Sequence, residues 1–130
     1  MIISVDKWMN NINKGDETLV KSEQDVEKQL SLLNGKDITQ LVANGKNQAL
    51  LIGGGDKNFV VTFIVGDNED FYNLVNEDFA NDFDEIEVVT GGQAGLFPQS
   101  IVVDFQTALS SLLYFYKFQQ RNPDLTWEND

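Results

Sequence analysis

Residues 49–65 read ALLIGGGDKNFVVTFIV, which is the clearest strand signal in the chain. It holds two runs of apolar and β-branched residues, at 49–53 and 59–65, of the kind that form strands. The linker GGDK between them combines glycine with aspartate, which is typical of a hairpin turn. Residues 38–43 form a third such run and are followed by NGKN, a second hairpin linker. We therefore predict an antiparallel meander of three strands.

Two segments outside the meander carry helix signals. Ser22 is a predicted N-cap for a helix that runs to about residue 33, where an Asn-Gly pair supplies the stop. The longer helix is predicted over residues 104–119, with Asp104 as its N-cap and an Asn-Pro pair beyond its end. Leucines and a tyrosine at helical spacing give this second helix one apolar stripe, so we expect it to pack on a face of the sheet.

Shorter strands are predicted at residues 2–5, 85–90 and 100–103, while residues 71–79 are ambiguous and compatible with a short helix. The chain is thus predicted to be α+β: a mostly antiparallel sheet of about five strands with two principal helices. Its 130 residues are the size of one domain, so we expect a single domain over residues 1–130.

The composition narrows the chemistry. The chain has no cysteine and no histidine, which removes thiol nucleophiles, thiolate metal sites, the commonest general base and the commonest metal ligand. We therefore expect no enzyme activity, no cofactor and no bound metal. The N-terminus has no basic leader before its short apolar run, and no apolar stretch approaches the roughly 20 residues of a membrane span. These features predict a cytoplasmic protein without membrane contact.

Acidic residues outnumber basic ones 21 to 9, for a formal net charge of −12. Direct binding of nucleic acid is not expected, because affinity for phosphates depends on lysine and arginine. No lysine or arginine occurs between Lys57 and Lys117, while ten acidic residues fall in that span. Two interpretations remain: charge that keeps the protein soluble, and a surface of one sign that attracts a basic partner.

Two glycine-rich segments look like ligand-binding loops but are better explained as turns. Lys57 follows GGGD, whereas a phosphate-binding loop needs glycine directly before the lysine, a hydroxyl after it and then a helix. Residues 91–98 read GGQAGLFP between two predicted strands and contain neither a basic residue nor a nucleophile. We expect the glycines there to supply positive-φ or bulged backbone, with Pro98 ending the excursion.

The order and spacing of motifs after residue 49 resemble a known family. A strand ending in GGG is followed by Gly-Gly-Gln, a proline, a strand, an aspartate that opens a long helix, a proline and a terminal tryptophan. These residues are Gly53, Gly54, Gly55, Gly91, Gly92, Gln93, Pro98, Asp104, Ala108, Pro123 and Trp127. In this pattern the chain is similar to the Imm-one family of bacterial immunity proteins.

The resemblance covers about residues 49–127 and implies a small α+β protein that protects a cell from its own polymorphic or contact-delivered toxin, often a nucleic-acid deaminase. It also implies that the motif residues are structural. The toxin-binding surface varies within such a family, so no contact residue is transferred from the motif.

An acidic surface fits a toxin that acts on nucleic acid, because such a toxin presents basic residues around its cleft. The predicted contact residues are acids of the cation-free span with three aromatic anchors among them. They are Asp67, Glu69, Asp70, Phe71, Tyr72, Glu77, Asp78, Asp82, Phe83, Asp84 and Glu85. We expect a monomer that blocks the toxin by occlusion with nanomolar affinity, on the order of −12 kcal/mol. Two other functions stay open: an acidic adaptor without a toxin partner, and a magnesium-dependent hydrolase that uses carboxylates.

Overall fold

A computed structural model describes residues 1–66 and 70–130. The fold is α+β, as predicted, with two helices and one large antiparallel sheet. The sheet has seven strands, so the predicted number of about five was too low. The elements are β1 Ile2–Val5, β2 Trp8–Met9, β3 Ile12–Asn13, β4 Asp16–Leu19, α1 Glu23–Ser31, β5 Gln40–Asn44, β6 Gln48–Gly55, β7 Asn58–Val65, β8 Asp70–Leu74, β9 Glu85–Thr90, β10 Gln93–Pro98, α2 Phe105–Phe118 and β11 Trp127–Asn129.

The main sheet has the strand order β11-β8-β7-β6-β5-β1-β4, and all neighbours are antiparallel. The predicted meander is its centre, where β5, β6 and β7 lie within two residues of the predicted bounds. Three of its strands were not predicted: β8, and the two edge strands β4 (DETL) and β11 (WEN). The edge strands are short and polar and lack the alternation of apolar and polar residues that marks a strand. They are strands because they pair with β1 and β8.

Both helices begin at the predicted caps. The Ser22 hydroxyl accepts a hydrogen bond from the Asp25 amide (3.1 Å) at the start of α1. The Asp104 carboxylate accepts one from the Thr107 amide (2.8 Å) at the start of α2. Each cap satisfies an N–H group that has no partner within its helix. Helix α2 ends at Gln119, which takes the left-handed conformation (φ 53°), before the Asn-Pro pair that was expected to stop it.

The helices cover one face of the main sheet, which we call the inner face. Strand residues that point to this face form the principal hydrophobic core together with α1 and α2. Phe63 is buried in this core and meets Phe115 of α2 edge-on, with the ring centroids 6.1 Å apart. Leu50 and Tyr72 stand beside Phe63 on the neighbouring strands. The C-terminal helix therefore packs on a sheet face, as predicted.

The hairpin of β9 and β10 lies over one end of the opposite face. Its Val88 packs with Val60 of β7 and with Val102 in a second, smaller hydrophobic cluster. Thr90 lies directly on Gly53 of β6, where an added Cβ would collide with the threonine hydroxyl and Cβ. Glycine is needed at position 53 because the two layers approach each other closely at this point.

The segment GGQAGLFP is a turn followed by a strand. Gly91 and Gly92 have φ angles of 62° and 79° and form the two-residue turn between β9 and β10, in agreement with the predicted positive φ. The predicted excursion up to Pro98 was wrong, because Gln93–Pro98 pairs with β9 along its whole length. A turn with positive φ at both positions matches the twist of the strands, so the chain resumes pairing immediately.

Two further predictions of local structure were wrong. Residues 100–103 were predicted as a strand, but Gln99–Ile101 is a 3-10 helix followed by a single bridge. The antiparallel partner of β9 is β10, so no strand is needed there. Residues 71–79 were compatible with a helix, but Asp70–Leu74 is a strand because it pairs with β7. Only Glu77–Phe79 is helical, as a single 3-10 turn.

Candidate partner-binding surface

The predicted acidic surface divides into separate parts along the chain. Asp67 and Glu69 lie outside the described residues. Asp70 opens β8 and is exposed, with Phe71 and Tyr72 next in the strand. The remaining acids belong to residues 75–85, which lead from β8 into β9 and which we call the acidic loop. They are Glu77, Asp78, Asp82, Asp84 and Glu85.

Phe71 and Tyr72 point to opposite faces of the sheet, because successive strand residues alternate. The Tyr72 ring lies 6.3 Å from the Phe63 ring and beneath the Arg121 guanidinium, whose carbon is 3.7 Å from the ring centroid. This cation–π contact and the packing engage Tyr72 within the protein. Phe71 is half-buried on the opposite face, where it pairs with Ile64.

The acidic loop is held in shape by hydrogen bonds around Phe83. The Asp82 carboxylate accepts a hydrogen bond from the Asp84 amide (2.9 Å). The Asp84 carbonyl accepts one from the Gln99 amide (2.8 Å). Between these two aspartates, the Phe83 side chain is 77% exposed. The loop therefore presents a large aromatic ring from an ordered backbone, which is the arrangement of an interface anchor.

The outward side of the β9–β10 hairpin continues this surface. Glu85 and Glu87 are exposed there, opposite Pro98 and Leu96 of β10. Leu96 is also exposed, so acidic and apolar side chains alternate across the hairpin. Glu87 and Leu96 were not among the predicted contact residues. Leu96 was missed because QAGLFP contains glycine and proline and was not recognised as a strand. Glu87 was visible as an acid of the cation-free span but was not selected.

Glu77 and Asp78 border a cleft of about 480 Å³. The cleft lies between the acidic loop, the start of α2 and the chain that follows α2. Asp104 and Asp124 add two more carboxylates to its lining, and Lys57 from the β6–β7 turn adds a positive charge. The structure thus brings Asp124 and Lys57, which sequence analysis did not select, beside two of the predicted acids.

Some acids of this cleft are engaged by the protein itself. Hydrogen bonds from the Thr107 backbone amide and, less strongly, from its side chain hold the pKa of Asp104 below its usual value. The carboxylate is therefore charged and already bound to the helix terminus. The Thr126 hydroxyl likewise donates a hydrogen bond to the Glu77 carboxylate. These groups add negative charge, but they have less freedom to turn toward a partner.

The motif residues Gly92 and Trp127 make internal contacts. The Gly92 amide donates a hydrogen bond to the Thr39 hydroxyl (3.0 Å), and the Trp8 ring lies so close that a Cβ at position 92 would collide with it. The Trp127 indole N–H donates to the Asn122 carbonyl (3.0 Å), and its ring packs against the principal core. These contacts tie the hairpin turn and the C-terminal segment to the rest of the fold.

A buried carboxylate orients the groups that hold the hairpin turn. Asp6 accepts hydrogen bonds from the Thr39 amide and hydroxyl, both at 2.6 Å, and from the Gln40 amide at 2.9 Å. It accepts a fourth from the Trp8 indole N–H at 2.7 Å. Thr39 and Trp8 are the two residues that contact Gly92. Sequence analysis did not select Asp6, because Thr39 lies 33 positions away.

Within residues 1–66 and 70–130, no group of three or more histidine, cysteine, aspartate or glutamate side chains is arranged to hold a metal ion. Over the same residues, no helix combines the length and apolar character that a membrane span requires.

Comparison with known protein families finds no family model that matches the chain, and comparison with curated proteins finds no matching sequence.

Proposed function

We propose that this protein is an immunity protein that binds a cognate bacterial toxin domain and blocks it by occlusion, without catalysis. The observation that carries the proposal is Phe83, which is 77% exposed on a hydrogen-bonded turn between Asp82 and Asp84. An aromatic ring among carboxylates offers a basic partner both an anchor and complementary charge. The motif resemblance to the Imm-one family supports the same function.

The charge of the surface supports a toxin that acts on nucleic acid. Asp78, Asp84, Glu85 and Glu87 are exposed, and the chain has no lysine or arginine between positions 57 and 117. A toxin that deaminates or cleaves nucleic acid needs cationic residues to bind phosphates. Opposite potentials accelerate such an encounter by roughly 10–1000-fold and disfavour partners of the wrong sign.

Neutralisation by this route requires no chemistry from the protein. A bound acidic surface excludes the substrate from the toxin cleft sterically and electrostatically. Because traces of free toxin are harmful, we propose a nanomolar or tighter complex, on the order of −12 kcal/mol. The hydrogen-bonded loop favours tight binding, since an ordered backbone loses little conformational entropy on association. The protein would act as a monomer in the cytoplasm.

Growth rescue tests this function directly. The toxin domain encoded by the adjacent gene is expressed alone and together with this protein. We expect growth only when both are present, and a stable complex of one copy each on co-purification. Failure of both rescue and co-purification would remove the proposal and favour an adaptor role.

A matched pair of charge reversals tests the surface. Glu85→Lys lies where the acidic loop enters the hairpin, and Glu27→Lys lies on α1; both positions are exposed. We expect Glu85→Lys to slow toxin association about 3–10-fold at low salt, with a smaller difference at high salt, because screening weakens surface charge. Equal association rates for the two variants would place the contact away from this hairpin.

A further inference from the structure

The second face of the main sheet, which we call the open face, has unusual outward residues. Antiparallel sheets with one solvated face usually alternate apolar residues inward with polar residues outward. Strand β7 reads NFVVTFIV, and its outward residues include the apolar Val60 and Ile64 with the polar Thr62 between them. Among its outward residues, Val60 is buried under the hairpin, whereas Ile64 is only half-buried. The open face therefore carries apolar side chains that the hairpin does not fully cover.

The strand register brings apolar side chains from distant parts of the chain into one row. The row crosses six strands at Leu19, Ile2, Asn44, Ala49, Ile64 and Phe71. Asn44 is its one polar member. Residues two apart on a strand point to the same face, so the adjacent row adds Val42 and Leu51 at its centre. The polar Ser4, Thr62 and Asn73 flank them in that row.

Much of this row is accessible. Leu19 is 58% exposed and Ile2 is 43% exposed. Ala49, Ile64 and Phe71 are half-buried, in contrast to the fully buried residues of the inner face. An accessible apolar surface beside polar residues, here interrupted at Asn44, is typical of a protein interaction site.

Acidic residues stand at both ends of the adjacent row. Among the described residues of the adjacent row, the charged members are Glu17 and Glu128, which stand at its two ends. Asp70 is not part of this border, because it lies on the inner side of β8 with Tyr72, opposite Val65. An occupant that matches this pattern has apolar side chains in its centre and lysine or arginine at its margin. A second copy of this chain does not match, since each copy carries a net charge of −12.

From this geometry we infer that the open face binds the apolar part of the toxin's contact surface, with toxin lysines and arginines against Glu17 and Glu128. The inference rests on the proposed function and names the surface that supplies its apolar contacts. The β9–β10 hairpin sits on the same side of the main sheet as the open face. One partner can therefore contact both the hairpin acids and the apolar row, with the apolar row supplying the desolvated centre of the interface.

Two double variants with matched exposure test the inference. Ile2→Lys with Leu19→Lys changes residues of the open face that are 43% and 58% exposed. Leu32→Lys with Phe118→Lys changes residues of α1's end and of α2 that are 42% and 59% exposed. Affinity for the purified toxin domain of the adjacent gene is measured by calorimetry. Thermal unfolding and sedimentation of each variant report folding and self-association.

We expect the open-face variant to weaken toxin binding at least about 30-fold, the level of an interface hot spot, and the control variant to weaken it less than about threefold. If the lysine variant unfolds, the corresponding pairs of alanine substitutions are compared in the same way. Equal affinities of the two variants, with the wild type bound, overturn the inference and leave the proposed function intact. Absence of wild-type binding removes the proposed function itself. A wild-type dimer that Ile2→Lys with Leu19→Lys dissociates also overturns the inference, because the occupant is then a second copy.

Discussion

The two ends of the β9–β10 hairpin use their residues in opposite ways. At the turn, Gly92 is held by the Thr39 hydroxyl and the Trp8 ring, and both of these are oriented by the buried Asp6 carboxylate. At the other end, Phe83 projects into solvent from an acidic loop whose backbone is nevertheless hydrogen-bonded. The glycine-rich end, which looks like a ligand loop in the sequence, is held by contacts with the rest of the fold. The acidic end is ordered in its backbone and exposed in its side chains, which suits a partner.

The largest effect is expected at the buried support of the turn. Asp6→Ala leaves the Thr39 and Gln40 amides, the Thr39 hydroxyl and the Trp8 indole N–H without their acceptor. We expect the free energy of unfolding to fall by about 3 kcal/mol or more, because buried unsatisfied donors are costly. Urea denaturation followed by circular dichroism measures this, with the exposed Asp16→Ala as a control that changes stability by about 0.5 kcal/mol or less. A loss below about 1 kcal/mol would contradict the supporting role of Asp6.

A smaller loss of stability is expected at the turn itself. Gly92→Ala places a Cβ against the Trp8 ring at a residue whose φ is 79°. We expect a loss of about 2 kcal/mol, because strained backbone and a displaced ring add together. Gly95→Ala in the same hairpin is the control, since its Cβ meets only the movable Phe97 ring, at 3.2 Å. Denaturation that is equally affected by both substitutions would show that the Trp8 contact does not constrain the turn.

The sequence could predict the parts of the fold that depend on local signals, and it could not predict the parts that depend on contacts between distant residues. The β5–β7 meander and the Ser22 and Asp104 caps were predicted correctly, because apolar runs, hairpin linkers and caps are local signals. Strand β10 was missed because its glycine and proline argue locally against a strand, and pairing with β9 overrides them. The hydrogen bonds from Thr39 to Asp6 join residues 33 positions apart, and no local sequence pattern indicates such a contact.

The candidate site follows the same division. The acidic loop was selected for its charge and lack of cations, which are visible in the sequence, and most of its acids are exposed in the structure. Its role as a contact surface stays a prediction. The separation of Phe71 from Tyr72 depends on which face of β8 each residue takes. The open face depends on register, which aligns Leu19 and Ile2 with Ile64 across the sheet. The apolar outward residues of β7 were the one sign of the open face in the sequence. To use this sign, the pairing of β7 with its neighbouring strands would have had to be predicted.

At the exposed end of the hairpin, a substitution is expected to change the affinity for the toxin and to leave the stability of the fold nearly unchanged. Phe83→Ala removes a ring that is 77% exposed. The loop that carries the ring is held by hydrogen bonds of the Asp84 backbone. We expect toxin binding to weaken about 30-fold, or about 2 kcal/mol, while the free energy of unfolding changes by about 0.5 kcal/mol or less. Phe118→Ala on α2, 59% exposed, is the matched aromatic control. Unchanged affinity after loss of the Phe83 ring would remove the residue on which the proposed function depends.

The smallest effect is expected at Asp104 in the cleft beside the acidic loop. It distinguishes acids that stabilise the fold from acids that are free to contact a partner. Hydrogen bonds from Thr107 lower the pKa of Asp104, so its stabilising effect is present above the usual value of 3.8 and is lost as the pH falls through the lower pKa of the folded state. Asp104→Ala should therefore cost about 0.5–1 kcal/mol at pH 7, the lower range for a cap because the side chain is exposed, and progressively less in acid. Asp104→Asn retains a capping oxygen and should lose less at pH 7, with no corresponding change on acidification. Denaturation of the three proteins between pH 7 and pH 2.5 measures the difference, which the other acids do not obscure because they are common to all three. A penalty for Asp104→Ala that stays constant over this range would mean that the charge of Asp104 does not stabilise the helix and that its carboxylate, like Asp78, is available to a partner.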